Sequence, residues 1–581
     1  MDQTILLGSI TALHLTLTAL PGVAAVLVAA RAGLRDVSLL LGVGMVSCGL
    51  AALLAYWCYF AAPQVGAVCA YGVAGVSALV SFRCRGALGP GRELTTRLLT
   101  PLVLWCLGAA FVLFLGFLQG GTERPLATAM TRFSHPLPQD NYLPFFFSDA
   151  LFQHGHEGPP AHFGDWLSSD RPPLQSGFVL AQRVFQWNDP LLHYQVLGVV
   201  LQQLWIVGLW SLLIATRMRA AGRALVITAV LLSDVAIVNG FYVWPKLLSA
   251  AYLLAAAAMV LREDWTRARQ DLRAAVLVSA LFALALLSHG GSIFGIIPLI
   301  VMAAVRAIPP PHWIAAGLAT ALLLIVPWSL YQRYEDPPGN RLIKWLIAGV
   351  ALPDDRTSFQ ALRDSYAALG VNGAVRNKLL NFRMMTGTGE TVARMVDVVS
   401  YATKGNYDQA IRLVRGERFF GFVASLGVFI VAPLVMLLLR ARGRRNREEW
   451  RFALRCLACA IIGCLAWGLL IFGPPGPPAV MHAGGYVLPI LALAGCVAGV
   501  YAVAPQLATW IVLVHSVTAL VIYVPVLDPP PDGRWSVVGT TAALASLIFF
   551  VVVAFRSQDP GALTELTPAA SVPRGAATQH H

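Results

Sequence analysis

Residues 37–61 read VSLLLGVGMVSCGLAALLAYWCYFA, a run without a single Asp, Glu, Lys or Arg. A helix that crosses a bilayer needs about 20 mostly apolar residues. This stretch exceeds that and has no polar face to turn toward water. The same character recurs at 4–30, 64–82, 98–118, 191–216, 223–240, 243–261, 273–289, 291–306, 313–330, 419–440, 452–472, 479–503, 506–527 and 536–555. The chain therefore reads as an all-α polytopic membrane protein with about fifteen transmembrane helices. Its first apolar segment follows Met1-Asp2 with no basic region and no cleavage site, so it reads as a retained helix.

Composition agrees. Of 581 residues only 12% are charged and 57% are hydrophobic, against roughly 25% charged in an ordinary soluble domain. Those figures exclude a disordered chain, a disulfide scaffold and a nucleic-acid module. The nine cysteines all fall in or beside apolar segments, and neither long polar loop holds one. The net charge of +13 is explained by where the cations sit. Arg31/Arg35, Arg83–Arg97, Arg217–Arg223, Arg262–Arg273, Arg306 and Arg440–Arg451 occupy alternate short connections. Such runs face the cytoplasm. The expected topology has the N-terminus outside and the C-terminus inside, in a bacterial cytoplasmic membrane.

Two connections are long, 119–190 and 331–418, and both fall on the outer face in that topology. Three helices (1–97) precede a stretch over 98–330 that carries the first loop. Further helices over 419–557 follow the second loop, and a tail over 558–581, rich in Ala, Pro, Gly and Thr, reads as disordered. The second loop holds thirteen Lys/Arg against nine Asp/Glu. Long loops are exempt from the positive-inside rule, so that excess can serve an anion.

The first loop contains Gln139-Asp140-Asn141-Tyr142 ahead of an aromatic run, Phe145-Phe146-Phe147, then Asp149. Asp140 is either a general base at the membrane surface or the cap of the helix that follows. Further on, Asp170-Arg171-Pro172-Pro173-Leu174 displays an arginine on a rigid turn. Arg171 either binds a phosphate through its fork or pairs with Asp165 or Asp170. Lys246, His289, and Arg341 with Lys344 at helical spacing are either headgroup-level anchors or cations for a phosphate. Asp234, inside an apolar segment, is a functional group or a paired carboxylate. His482 follows a Pro-rich outer turn and either borders a lipid entry or is structural. His154, His156 and His162 with Glu157 and Asp165 form a loose cluster. No metal site is expected from it, although a divalent ion is chemically possible.

An Asp in the first large outer loop followed by a basic-Pro-Pro-Leu turn resembles the GT-C glycosyltransferases. The likeness is greatest to their protein mannosyltransferase and aminoarabinose transferase branch, where the turn usually reads Lys-Pro-Pro-Leu. It covers roughly 98–418. The first three helices stand outside that module, and Asp140-Asn141 replaces the common acidic pair. The resemblance implies a GT-C-like fold with two large extracytoplasmic loops. It implies an inverting transfer of a hexose or pentose from a polyprenyl-phosphate donor to an acceptor hydroxyl on a cell-envelope glycan, lipid or protein. Asp140 would be the base and Arg171 the donor-phosphate ligand, with Lys246, Arg341, Lys344 and His289 as further cations. Asp149, Asp170, Asp234 and His482 are the remaining candidates. The competing expectation is a lipid-linked saccharide flippase or another polytopic transporter. Membrane lipids, and no nucleic acid, are the other expected partners.

Overall fold

Lys246–Val260 is buried along its whole length, as expected for a helix with no polar face. Apolar helices surround it on every side. The computed structural model describes residues 3–88, 92–133, 137–158, 162–386, 390–439, 446–473, 487–527, 529, 533 and 535–557. It is all-helical in character, with 81% of the described residues in helices. Among the described residues the only sheet is a hairpin pairing His162–Phe163 with Trp166–Leu167. The expected tail over 558–581, and His482, lie outside the described residues.

Among the described residues nine helices are long and apolar enough to cross a membrane. Another apolar stretch is two helices, Ala220–Leu231 and Asp234–Tyr242, bent by 53°. Five more are shorter: Lys246–Val260, Leu272–Ser288, Gly290–Arg306, Ala424–Leu439 and Val487–Val503. Each apolar segment of the sequence overlaps one of these within the described residues; 440 and 479–486 lie outside them. The outer helices turn bare hydrocarbon outward. Val68, Val305 and Leu323 are each more than 70% exposed, which suits lipid and not water. The chain is thus a multi-pass helical membrane protein.

Helices of this kind are not drawn together by water, so close backbone approach matters more. A Cβ on Gly208 would lie 2.4 Å from the Ala251 carbonyl oxygen, and one on Gly177 would lie 2.3 Å from that of Ala52. Gly208→Ala is therefore expected to destabilise the protein by about 1–3 kcal/mol through overpacking. A lower melting temperature in detergent, with Gly72→Ala (open space around its Cβ) as the neutral control, checks this.

The bend between Leu231 and Asp234 leaves backbone groups inside the bundle, where each must find a partner. Ser233 caps the Ala236 amide at 3.3 Å, and the His515 ring meets the Ala229 carbonyl at 3.1 Å. The short basic connections gather at one end of the bundle. There Arg262 pairs with Asp36 at 2.8 Å, Arg455 pairs with Glu263 at 2.7 Å, and Arg306 reaches the Arg262 carbonyl at 2.7 Å. The two long loops meet one another through Arg341 and Asp170. Such contact requires the loops to share one face. The three N-terminal helices are fastened to the rest through His14, whose ring nitrogens lie 2.8 Å from Gln182 and 2.9 Å from His193.

Candidate functional site

Asp140 lies on a single 3-10 turn, Gln139–Tyr142, which ends where the proline-started helix Leu143–His154 begins. Its carboxylate does not cap that helix: the N-cap position belongs to Tyr142, and no side chain caps there. The turn is instead clamped through its backbone. The Tyr242 hydroxyl donates to the Pro138 carbonyl, and Tyr194 donates to the Asn141 carbonyl at 2.8 Å. The Asn141 amide donates to the Leu126 carbonyl at 3.2 Å. Clamped so, the Asp140 side chain stays 14% exposed beside an otherwise buried wall.

Arg171 faces it, with Nη2 3.3 Å from Oδ2 of Asp140. The guanidinium is nearly buried and lies over the Trp166 ring at 4.2 Å, with Trp244 at 5.9 Å. Its Nε is buried without a hydrogen-bond partner, and Nη2, buried too, has only the ion-pair contact with Asp140. Buried donors of that strength are costly to leave unsatisfied. An anion placed against them would supply the missing acceptors. Lys246 opens the next helix and holds its ammonium 3.6 Å from the Trp244 ring centroid. The charges acting on it are those of Asp140 and Arg171, while His289 feels Lys246 and Arg171. His289 Nδ1 accepts the Gly291 amide at 3.0 Å, which leaves Nε2 as the donor of the neutral ring. One carboxylate, two cations and an imidazole donor thus lie together around Trp244.

Depth follows from helix length. Lys246–Val260 has 15 residues and Leu272–Ser288 has 17. At about 1.5 Å per residue these reach roughly 22–26 Å, short of a hydrocarbon core of about 30 Å. On those lengths Lys246 and His289, at the loop-side ends of these helices, are expected to lie below the membrane boundary.

Arg341 and Lys344 stand elsewhere. Arg341 pairs with Asp165 at 2.6 Å and Asp170 at 3.0 Å, and its guanidinium lies 4.9 Å from the Trp166 ring centroid. Lys344, fully buried, donates to the Asp354 carbonyl at 2.6 Å and is paired with that residue's carboxylate. Lys344 and Arg356 hold the Asp354 carboxyl below the usual range. These two cations fasten the second loop to itself and to the first. Because Asp165 and Asp170 bind Arg341, Arg171 is left to face Asp140. Burial pushes the Asp170 carboxyl up, opposed by the Leu167 amide and by Arg341. Arg341→Ala would strand that carboxylate and is expected to cost about 3–5 kcal/mol. Thermal denaturation in detergent checks it, and an unchanged melting temperature would refute the clasp.

Asp149 is engaged by Arg183 at 2.8 Å. Asp234 opens the second half of the bent span, paired with Arg418 at 2.9 Å and hydrogen-bonded by Tyr523. Sequence reasoning identified the carboxylate but not these partners, which lie far along the chain. It also missed Trp166 and the glutamines behind the site. Among the described residues no group of three His, Cys, Asp or Glu could hold a metal ion. His156 turns to the Phe60 carbonyl at 3.0 Å.

No protein-family model, curated protein or solved structure matches this chain.

Proposed function

We propose that the chain is a GT-C-like glycosyltransferase, with some fifteen membrane crossings and both long loops outside. It moves a sugar from a polyprenyl-phosphate donor to an acceptor hydroxyl on the extracytoplasmic face. The observation that carries this reading is the buried Arg171 guanidinium, its Nε without a partner and its Nη2 held 3.3 Å from Asp140. The donor phosphate takes up the free Nε of Arg171, with Lys246 and His289 beside it. Asp140 accepts the proton of the acceptor hydroxyl as its oxygen attacks the anomeric carbon. The bond from that carbon to the phosphate oxygen breaks, and the configuration inverts. The leaving group is the polyprenyl phosphate, whose growing negative charge meets cations already in place.

The test is incubation of purified protein in lipid with a panel of radiolabelled polyprenyl-phosphate sugars and envelope glycan acceptors. Expected is label in the acceptor with an equal release of polyprenyl phosphate. Absence of release from every donor would sink the reading.

Transport of a lipid-linked saccharide is the second reading, favoured by the bent span with Asp234 at its break, since transporters place binding sites at such breaks. Against it, Asp234 is already engaged by Arg418 and Tyr523. Transbilayer movement of a fluorescent polyprenyl-phosphate sugar in vesicles, without transfer, would favour transport.

A further inference from the structure

Behind that cluster runs a chain of buried amides and a phenol. Gln175 opens the helix Leu174–Arg183, two residues past the Pro172-Pro173 turn that displays Arg171. Its Nε2 donates to the Tyr194 hydroxyl at 3.1 Å and to the Val243 carbonyl at 3.0 Å. Tyr194 in turn donates to the Asn141 carbonyl, in the turn that bears Asp140. Gln175 also accepts from Gln202 Nε2 at 3.3 Å. Gln202 Oε1 takes the amides of Leu247 and Leu248 at 3.0 and 3.1 Å, the first turn of the helix that Lys246 begins. Gln175, Tyr194 and Gln202 are each at most 1% exposed.

This arrangement asks for a reason, because three buried polar side chains in a membrane bundle are expensive unless fully paired. Val243 adds a second sign. It is β-branched and adopts φ +59°, a conformation that such residues avoid. Strain of that kind persists only where the surroundings enforce it. The Gln175 amide holds its carbonyl, and its side chain packs on Gly198, where a Cβ would come within 2.6 Å. Trp244 and Lys246 follow directly, so the orientation of Val243 sets where both point.

We infer that Gln175 is a positioning residue. Through Tyr194 it fixes the turn of Asp140, and through Val243 and Gln202 it fixes the ammonium of Lys246, both relative to its own neighbour Arg171. The inference rests on the reading of Asp140 as base and of Arg171 and Lys246 as phosphate ligands. It divides the relay into two arms with separable effects. The Tyr194 arm governs the base, and the Gln202 arm governs the phosphate.

The experiment compares Tyr194→Phe, Gln202→Met and Gln175→Met in the full-length protein. Tyr194→Phe is expected to lower kcat about tenfold at unchanged donor KM. Gln202→Met is expected to raise donor KM about tenfold at nearly unchanged kcat. Gln175→Met does both, about 100-fold in kcat/KM, the scale of an ångström-sized misplacement. Gln195→Met is the control. That residue is equally buried and donates to the Phe241 carbonyl, so it should lower stability without the split. Equal losses in all variants, or losses that follow melting temperature, would overturn the inference. Hydrogen exchange supplies a readout free of activity: Gln202→Met and Gln175→Met should open the Leu247 and Leu248 amides, whereas Tyr194→Phe should not. If the wild type transfers no sugar, the proposed reaction falls. The relay then stands or falls on exchange, and wild-type protection in Gln175→Met refutes it.

Discussion

Asp140→Asn is expected to reduce sugar transfer by about 10³-fold, within the usual range for a lost general base, while folded yield and melting temperature stay near wild type. Stability should be spared because the turn is held by its backbone, through Tyr194 and Tyr242, and not by the carboxylate. The substitution keeps the shape and removes the proton acceptor. Donor binding should persist, since Arg171 itself and its unpartnered Nε are untouched. The measurement is single-turnover transfer beside polyprenyl-phosphate-induced thermal shift. A variant that transfers at the wild-type rate would remove Asp140 from the reaction.

Arg171→Ala is expected to have an effect as large as that of Gln175→Met, chiefly on the donor. The fork lies against Trp166 and faces Asp140. Its loss removes the buried donors and leaves the carboxylate beside Lys246 as the dominant charge. A fall of about 100-fold in kcat/KM is anticipated, comparable to losing a donor that meets developing charge. Polyprenyl phosphate should then no longer raise the melting temperature. Arg171→Lys should recover part of the charge and little of the bidentate geometry. If the thermal shift by polyprenyl phosphate survives in Arg171→Ala, the phosphate lies elsewhere.

Much of the architecture was legible in the sequence because lipid imposes a simple rule. An uncharged run such as 37–61 has few alternatives to a membrane helix. Arg171 could be picked out because the two prolines after it signal fixed backbone, and Asp140 because it stands in the first long loop ahead of an aromatic run. Whether they met could not be read, since thirty residues of loop separate them. Arg341 and Lys344 show the limit more plainly. Their helical spacing placed both on one face, yet their partners, Asp165, Asp170 and Asp354, are selected by how two loops fold together. An exposed phosphate cation and a buried clasp look the same as letters. Gln175 and Gln202 were silent for a similar reason. A lone glutamine near an apolar segment has no periodicity, and its meaning lies wholly in the carbonyl or amide that it meets.

The short helices behind Lys246 and His289 also bear on competing chemistry. Under the proposed transfer, a water molecule would have to pass Trp166 and Trp244, which flank Arg171, to reach the anomeric carbon. An acceptor presented through the loops would bring its own hydroxyl to that point. The shortfall of a few residues in each helix would thus act as a barrier to hydrolysis. Lengthening Lys246–Val260 by one turn should raise donor loss to water relative to transfer.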